Sequence, residues 1–355
     1  MEKFLKENKM IKFAVIGFGK MGIFHTALFN AHPAMKIVAI LEKEKRMLKM
    51  FGKLNNNINT YSSIDGLKQN EDLDGIAITT PQNSHLPILE EFNDLDIYSF
   101  IEKPLMDDVH RLEISSIKGE NENRCIVGYL MRFHPVFNYV KKLLDDRTIG
   151  SIRSYNGKYY IGSVTGQIKG WRTNPEKSGG GALITNASHL IDMLSWYFGL
   201  PQEVSGKSQY IHDNPVEDAF FGTLVHKDGL IGTIETDWSR NIYRMPYMSM
   251  SISGEFGEIE LDNDGIDIIL FKETAEFNKG TYHIDSTDLY RGVFFDIGGI
   301  EYSMQAEAFI QFVKTGELNN LCSFNEAVNC QYTIDALYRS NADSSKLIST
   351  QGNHE

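Results

Sequence analysis

Ile11-Lys-Phe-Ala-Val-Ile-Gly-Phe-Gly-Lys-Met-Gly22 is the stretch that decides the fold. It opens as a short apolar run that stops abruptly at glycine, the pattern of a strand buried on both faces in a parallel sheet. Beyond Gly22 the apolar residues Ile23, Phe24, Ala27 and Leu28 recur at helical spacing. Between strand and helix, G-x-G-x-x-G asks for a tight turn at Gly17, close backbone approach to a pyrophosphate at Gly19 and close helix–strand contact at Gly22. The phosphates would rest on the open N–H groups of the helix start. A second apolar run, Met35 to Leu41, ends in Glu42, 20 residues beyond Gly22. That is where a carboxylate meets the adenine ribose 2′-hydroxyl of a dinucleotide. Gly17, Phe18, Gly19, Lys20, Met21, Gly22 and Glu42 are therefore the candidate cofactor residues. Glu42 would repel a 2′-phosphate and so favours NAD; Lys43 and Lys45, cations able to meet that phosphate, keep NADP as the alternative.

Outward from this unit the alternation continues. A charged helical stretch runs from Glu42 to Lys53, Gly75 to Thr79 reads as a buried strand, and Leu86 to Phe92 as the helix behind it. Ile97 to Ile101 and Cys125 to Tyr129 are further strands, so βαβ units and a parallel sheet are expected. Near Ile149-Gly150 the pattern changes. Alternating runs at 152–160, 230–236, 248–253, 257–261 and 266–271, separated by Gly/Asp/Asn turns, predict an antiparallel sheet. One long helix from about Gly180 interrupts it, helical spacing returns at 305–313 and 325–339, and the polar tail after Ser340 is expected to fray. The prediction is an α/β chain: a Rossmann domain with a parallel sheet over 1–131, then an α+β domain with a large, open, mostly antiparallel sheet over 132–355. The first nine residues are expected to be an extension outside the fold.

Composition narrows the class. The chain has 355 residues, enough for two domains, and 42% hydrophobic residues, enough for packed cores. Lys and Arg number 35 against 47 Asp and Glu, a net charge of −12, which argues against nucleic acid as a partner. No apolar run approaches the ~20 residues of a membrane span, and the Lys/Glu-rich N-terminus does not read as a secretory signal. Cys125, Cys322 and Cys330 are too few and too scattered for a disulfide framework or a zinc site, and His25, His134, His212 and His283 lack ligand spacing. A cytoplasmic protein with no metal and no membrane is expected.

Further segments carry a family resemblance. Thr79-Thr-Pro-Gln-Asn-Ser-His85, Glu102-Lys-Pro104, Gly128-Tyr-Leu-Met-Arg-Phe-His-Pro135, Trp171-Arg172 and Gly179 to Asp192, with Val216-Glu-Asp218 and Ile334 to Ser340, resemble the Gfo/Idh/MocA family of glucose-fructose oxidoreductase, inositol dehydrogenase and relatives. The resemblance runs from about Ile11 to Ser340. It implies hydride transfer between a nicotinamide and a carbinol carbon of a sugar, sugar derivative or cyclitol. It also implies a homo-oligomer, dimer or tetramer, formed through the open sheet. Thr80, Pro81, Asn83, His85, Glu102 and Lys103 then join the cofactor set. Trp171 and Arg172, with Tyr129, Arg132 and Asp192, become the substrate set: an indole face suits a sugar ring, and a guanidinium an anionic substituent.

The chemistry needs a group that exchanges the hydroxyl proton as the hydride moves. Lys103, at the carboxyl end of a parallel strand, is the position the resemblance assigns to that role, with Glu102 orienting it. A lysine partly desolvated beside a cationic ring has a lowered pKa. On a helix from Gly180, Thr185, His189, Asp192 and Trp196 would share one face, and His189 suits proton exchange near neutrality. The family commonly has Asp where this chain has Thr185, and a hydroxyl cannot hold the negative charge that stabilises an imidazolium. Lys103, His189 and Thr185 are the catalytic candidates. Two alternatives stay open: a redox-neutral epimerase or lyase that cycles a bound NAD, and a dinucleotide-sensing protein without catalysis.

Overall fold

A strand buried on both faces must have its peptide groups met by strands on either side, and β1 (Ile11–Ile16) is such a strand. The computed structural model describes residues 10–54, 57–117, 119–167 and 170–350; the expected N-terminal extension lies outside them. β1 pairs in parallel with β2 (Met35–Leu41) on one side and β4 (Gly75–Ile78) on the other. β3 (Asn59–Tyr61), β5 (Tyr98–Ile101) and β6 (Cys125–Val127) extend the sheet in parallel, and β15 (Cys322–Ser323) closes the edge antiparallel to β6. The order is β3-β2-β1-β4-β5-β6-β15. Strand order reverses between β1 and β4, which is the ligand crevice of a doubly wound sheet.

Contacts divide the chain into two units. The first holds the chain up to Met106, His110–Leu130 and, against the expected single cut at 131, Gly292–Ala327. The reason is packing. Phe309, on the helix Ile300–Thr315, sets its ring against those of Phe13, Phe29 and Phe100 at 5.5, 5.8 and 5.4 Å between centroids. Four fully buried rings form one core that the first 131 residues do not complete.

The second unit holds β7 (Ile152–Tyr160), β8 (Glu203–Gln209), β9 (Ala219–Val225), β10 (Ile231–Asp237), β11 (Tyr247–Gly254), β12 (Gly257–Leu261), β13 (Gly265–Leu270), β14 (Gly280–Asp285) and β16 (Ile348–Ser349). Their order is β14-β13-β12-β11-β7-β10-β9-β8-β16, antiparallel throughout except for β7 beside β10. One face carries Tyr155, Phe220, Leu224, Ile234, Met250, Ile252, Ile259 and Ile268, all buried. The helix Ser188–Phe198 packs there, and Gly157 makes room for it: a Cβ at that position would lie 2.8 Å from Leu190 Cδ1. The other face is polar, set with the exposed Phe221, Ile231 and Ile269.

Two expectations are corrected. From Ser340 to Thr350 the tail is ordered: the helix Phe324–Ala342 continues, β16 pairs with β8, and Thr350 N–H donates to Gln202 O at 3.0 Å. The long helix from Gly180 is two helices, Ala182–Thr185 and Ser188–Phe198. At the joint the Ala187 N–H reaches back five residues to Ala182 O and the His189 N–H three to Asn186 O, so one turn is wide and the next tight. Helical counting across Asn186 fails for that reason.

Candidate functional site

In the first unit the glycine turn is built by close approach. Gly17 sits at φ +88°, and a Cβ there would lie 2.6 Å from Thr80 Cγ2; at Gly22 it would lie 2.0 Å from Gly17 O. The Thr79 hydroxyl, at the end of β4, donates to Gly17 O at 2.7 Å and locks the turn from below. Gly19 is different: nothing lies within 4 Å of its Cβ position. It caps the helix Lys20–Ala31 with no side-chain hydrogen bond to the helix start, and no acidic residue occupies the first turn. An uncapped helix end beside open space is an anion seat. Glu42 rims it, accepting the Phe18 N–H at 2.7 Å through Oε2 and the Glu44 N–H at 3.0 Å through Oε1. These residues fit a dinucleotide: donors for the pyrophosphate, and a fixed carboxylate for a ribose.

After β4, Thr80 accepts from the Ser84 hydroxyl at 2.8 Å. Pro81 is exposed and Asn83 half-buried on the turn Gln82–Ser84. His85 was expected among the cofactor contacts. Its ring is instead enclosed by three carbonyls, Thr80 O at 2.8 Å from Nε2 and Pro104 O and Leu105 O at 3.1 and 3.2 Å from Nδ1, and it ties the β4 loop to the Glu-Lys-Pro corner. Burial lowers its pKa, against the pull of those carbonyls and of Glu102. Glu102 leaves the end of β5 with its N–H on Ile78 O at 2.9 Å. Its Oε1 meets His25 Nε2 at 2.5 Å, and its Oε2 accepts the Lys103 N–H at 3.1 Å. Lys103 follows, half-buried, ahead of a cis peptide bond to Pro104. Tyr129, just after β6, is buried.

In the second unit Trp171 and Arg172 stand on a turn ended by Asn174, the guanidinium 4.7 Å from the indole centroid. The glycine run follows, and Glu217 holds it. Its Oε2 accepts the Gly181 N–H at 2.8 Å; its Oε1 accepts the Leu183 N–H at 3.0 Å and the Tyr338 hydroxyl at 2.8 Å. A Cβ at Gly181 would stand 1.9 Å from Glu217 O, so glycine is required there. Thr185 gives its hydroxyl to Gly181 O at 2.6 Å. His189 begins the next helix, buried, its ring stacked 6.1 Å from that of Tyr159. Arg132 and Asp192, expected to face substrate, are instead bound to one another: Nε to Oδ2 at 3.0 Å and Nη2 to Oδ1 at 2.7 Å, with side chains 2% and 0% exposed. A bidentate pair at that depth is a packing element, with Trp196 against the guanidinium at 5.5 Å.

The predicted residues thus fall into two sets. Residues 17–22, 42, 80, 81, 83, 85, 102, 103 and 129 lie in the first unit, and 132, 171, 172, 185, 189 and 192 in the second. Sequence reasoning missed three supports: Thr79, His25 and Glu217. His25 carried a signal, a lone histidine three residues past Gly22 on the buried side of the helix; Glu217 stood inside a segment already recognised but without a role.

Residues 11–129 match the model of the oxidoreductase family with an NAD-binding Rossmann fold, and residues 137–260 that of the GFO/IDH/MocA C-terminal domain. The chain belongs to the Gfo/Idh/MocA family of NAD-binding oxidoreductases. Among its relatives, the inositol 2-dehydrogenase of Rhizobium meliloti is 26% identical over 144 residues, 40% of this chain and 43% of that protein. Oxidoreductase P35 of Formosa agariphila is 28% identical over 196 residues, 52% and 61%. The chain spans about half the length of these curated relatives. In fold it is similar to a levoglucosan dehydrogenase solved with NADH and levoglucosan, at a TM-score of 0.83 and 20% identity over 97% of this chain and 100% of that one.

Proposed function

We propose that the chain is an NAD-dependent oxidoreductase that moves a hydride between the nicotinamide and a carbinol carbon of a sugar, sugar derivative or cyclitol. The observation that carries this reading is the Gly17–Gly22 turn rimmed by Glu42, with an uncapped helix start beside open space at Gly19. A bound dinucleotide supplies the hydride acceptor; every other task falls to side chains of this protein. The helix N–H groups hold the pyrophosphate. Glu42 accepts a ribose hydroxyl and repels a 2′-phosphate, which selects NAD, while the exposed Lys43 and Lys45 are what NADP would use. Lys103 takes and returns the hydroxyl proton, with Glu102 fixed behind it, and His189 shares the acid–base work. Thr185, its hydroxyl given to Gly181 O, positions the turn and carries no charge. Trp171 and Arg172 face the sugar. The relatives' names support cyclitols and anhydrosugars as the first substrates to try.

The polar sheet face with Phe221, Ile231 and Ile269 exposed supports a homo-oligomer through that face. No helix among the described residues is long and apolar enough to cross a membrane. The three cysteines are free and buried, which suits the reducing cytoplasm. The test is coenzyme fluorescence, followed by turnover of myo-inositol and levoglucosan. NADH is expected to bind about tenfold or more tighter than NADPH, the order of one lost charge contact. Glu42→Ala should erase the preference, and Lys103→Ala should abolish turnover while NADH still binds. Tighter NADPH binding would refute the role of Glu42; turnover without net change of NADH absorbance would favour the redox-neutral alternative.

A further inference from the structure

His25, so far only a support of Glu102, is one of the most completely enclosed polar residues of the first unit, 1% exposed. Its ring is stacked on Phe29 at 5.5 Å, tilted against Phe100 at 4.8 Å and edge-on to Phe24 at 5.6 Å. Nδ1 is buried and has no hydrogen-bond partner among the described residues. The polar contact of this buried imidazole is Nε2 to Glu102 Oε1, at 2.5 Å. A buried polar group with one short partner is an expensive arrangement that a phenylalanine would avoid, so the contact itself calls for an explanation. On its other oxygen Glu102 accepts the N–H of Lys103. The carboxylate is thus a strut between the first helix and the peptide that launches the Lys103 side chain.

We infer that His25 is a positioning residue: by donating Nε2–H to Glu102 it fixes an anion at the end of β5, which sets the direction of Lys103 and steadies its ammonium. This rests on the reading of Lys103 as the proton-transfer group. Four titratable groups face Glu102: His25 from the helix Lys20–Ala31, Lys103 beside it, His85 from the helix His85–Glu90, and Tyr302 from the helix Ile300–Thr315. Burial alone would raise the Glu102 pKa. The hydrogen bond from His25 comes next, and with the charges of His25, Lys103 and His85 it brings the carboxyl below its ordinary range. Burial, then the negative charges of Glu102 and Glu301, push the Tyr302 phenol up, so it stays neutral. With the donor gone, Glu102 takes up a proton at a higher pH, and Lys103 loses the anion that holds its own.

His25→Phe keeps a ring among Phe24, Phe29 and Phe100 and removes only the donor; His25→Gln restores an N–H. Competitive labelling of lysines with a limiting amine reagent near pH 6, read by mass spectrometry on the full chain, measures the free-amine fraction of Lys103. Labelling of Lys103 is expected to rise several-fold in His25→Phe and Glu102→Gln, relative to the other lysines, and to return toward the parent level in His25→Gln. A carboxyl-carbon titration of Glu102 should move up by about one pH unit or more in His25→Phe. Unchanged Lys103 labelling in Glu102→Gln, or an unmoved Glu102 titration in His25→Phe, overturns the inference. If His25→Phe does not fold, the ring-nitrogen spectrum of His25 decides: a hydrogen-bonded Nε2–H in the parent that is lost in Glu102→Leu, which has no acceptor, supports the strut, and an identical spectrum refutes it. Absence of NADH binding by the parent chain would refute the functional reading separately, and with it the use of Lys103.

Discussion

Arg132 and Asp192 teach the most at the scale of single residues, because their types suggested a substrate site and their surroundings make them a buried pair. Removing one partner strands a charge, at a cost of about 3–5 kcal/mol, whereas replacing both with apolar residues of similar volume is close to neutral. Asp192→Asn and Arg132→Met should each lower the urea midpoint sharply, and Arg132→Met with Asp192→Leu should recover most of the loss. A double variant no better than the worse single one would mean that the charges do more than pack. Two residues beyond Arg132, His134 gives a pH signature. Burial, opposed by Asp262, lowers its pKa to about 4 from an ordinary 6.5. The folded chain therefore holds this ring neutral while the unfolded chain protonates it, so its contribution is present above pH 6.5 and is lost as pH falls toward 4. One proton taken up on unfolding corresponds to about 1.4 kcal/mol per pH unit across that window. His134→Phe should lose that slope, seen as a urea midpoint that falls less steeply than the parent's between pH 6.5 and 4. Parallel lines would refute the assignment.

At the scale of elements, the glycine run and the two short helices after it depend on one carboxylate. Glu217 meets two backbone N–H groups and a tyrosine hydroxyl, all in the interior. Glu217→Ala should cost about 2–4 kcal/mol through unsatisfied donors, with amide exchange speeding up first at Gly181, Leu183 and Thr185. Uniform acceleration over the whole unit would argue for global destabilisation instead. The same stretch marks where sequence reading stopped. Period and punctuation revealed β1, β2, β4, β5, β6, β7, β10, β11, β12 and β13, because those strands either are apolar throughout or alternate strictly. Six strands were not read: β8 (Glu203–Gln209) and β14 (Gly280–Asp285) carry few apolar residues to set a period, β3, β15 and β16 are only two or three residues long, and the adjacent Phe220 and Phe221 break the alternation of β9 (Ala219–Val225). The break at Asn186 is not legible because nothing in Ile184-Thr-Asn-Ala-Ser188 forbids a helix; it shows only in the backbone, where the Ala187 N–H bonds Ala182 O and the His189 N–H bonds Asn186 O. The glycine turn and Glu42 were legible from spacing alone. His25 showed in the sequence only as a lone histidine three residues past Gly22, and its role was not legible, since that lies in a contact 77 residues away along the chain.

For the whole chain, the sequence suggested a single cut near residue 131, while the contacts return Gly292–Ala327 to the first unit. The difference is testable because it is a statement about which apolar surface is buried. Without that segment the rings of Phe13, Phe29 and Phe100 lose Phe309, and Tyr98 loses the edge contact of Phe312 at 5.2 Å. β6 also loses its partner β15 and becomes a sheet edge, a position that invites strand pairing with other molecules. Losing one such ring from a packed core costs about 3–5 kcal/mol, a large part of the ~5–15 kcal/mol that keeps a domain folded. A fragment of residues 10–130 should accordingly expose its aromatic face, bind a hydrophobic dye and melt without a sharp transition. The same fragment joined through a flexible linker to residues 292–327 should unfold cooperatively and bind NADH. In the full chain, Phe309→Ala should lower the melting temperature of the transition that NADH protects. If residues 10–130 alone melt sharply and bind NADH as the full chain does, the returning segment is an ornament on that unit rather than part of its core.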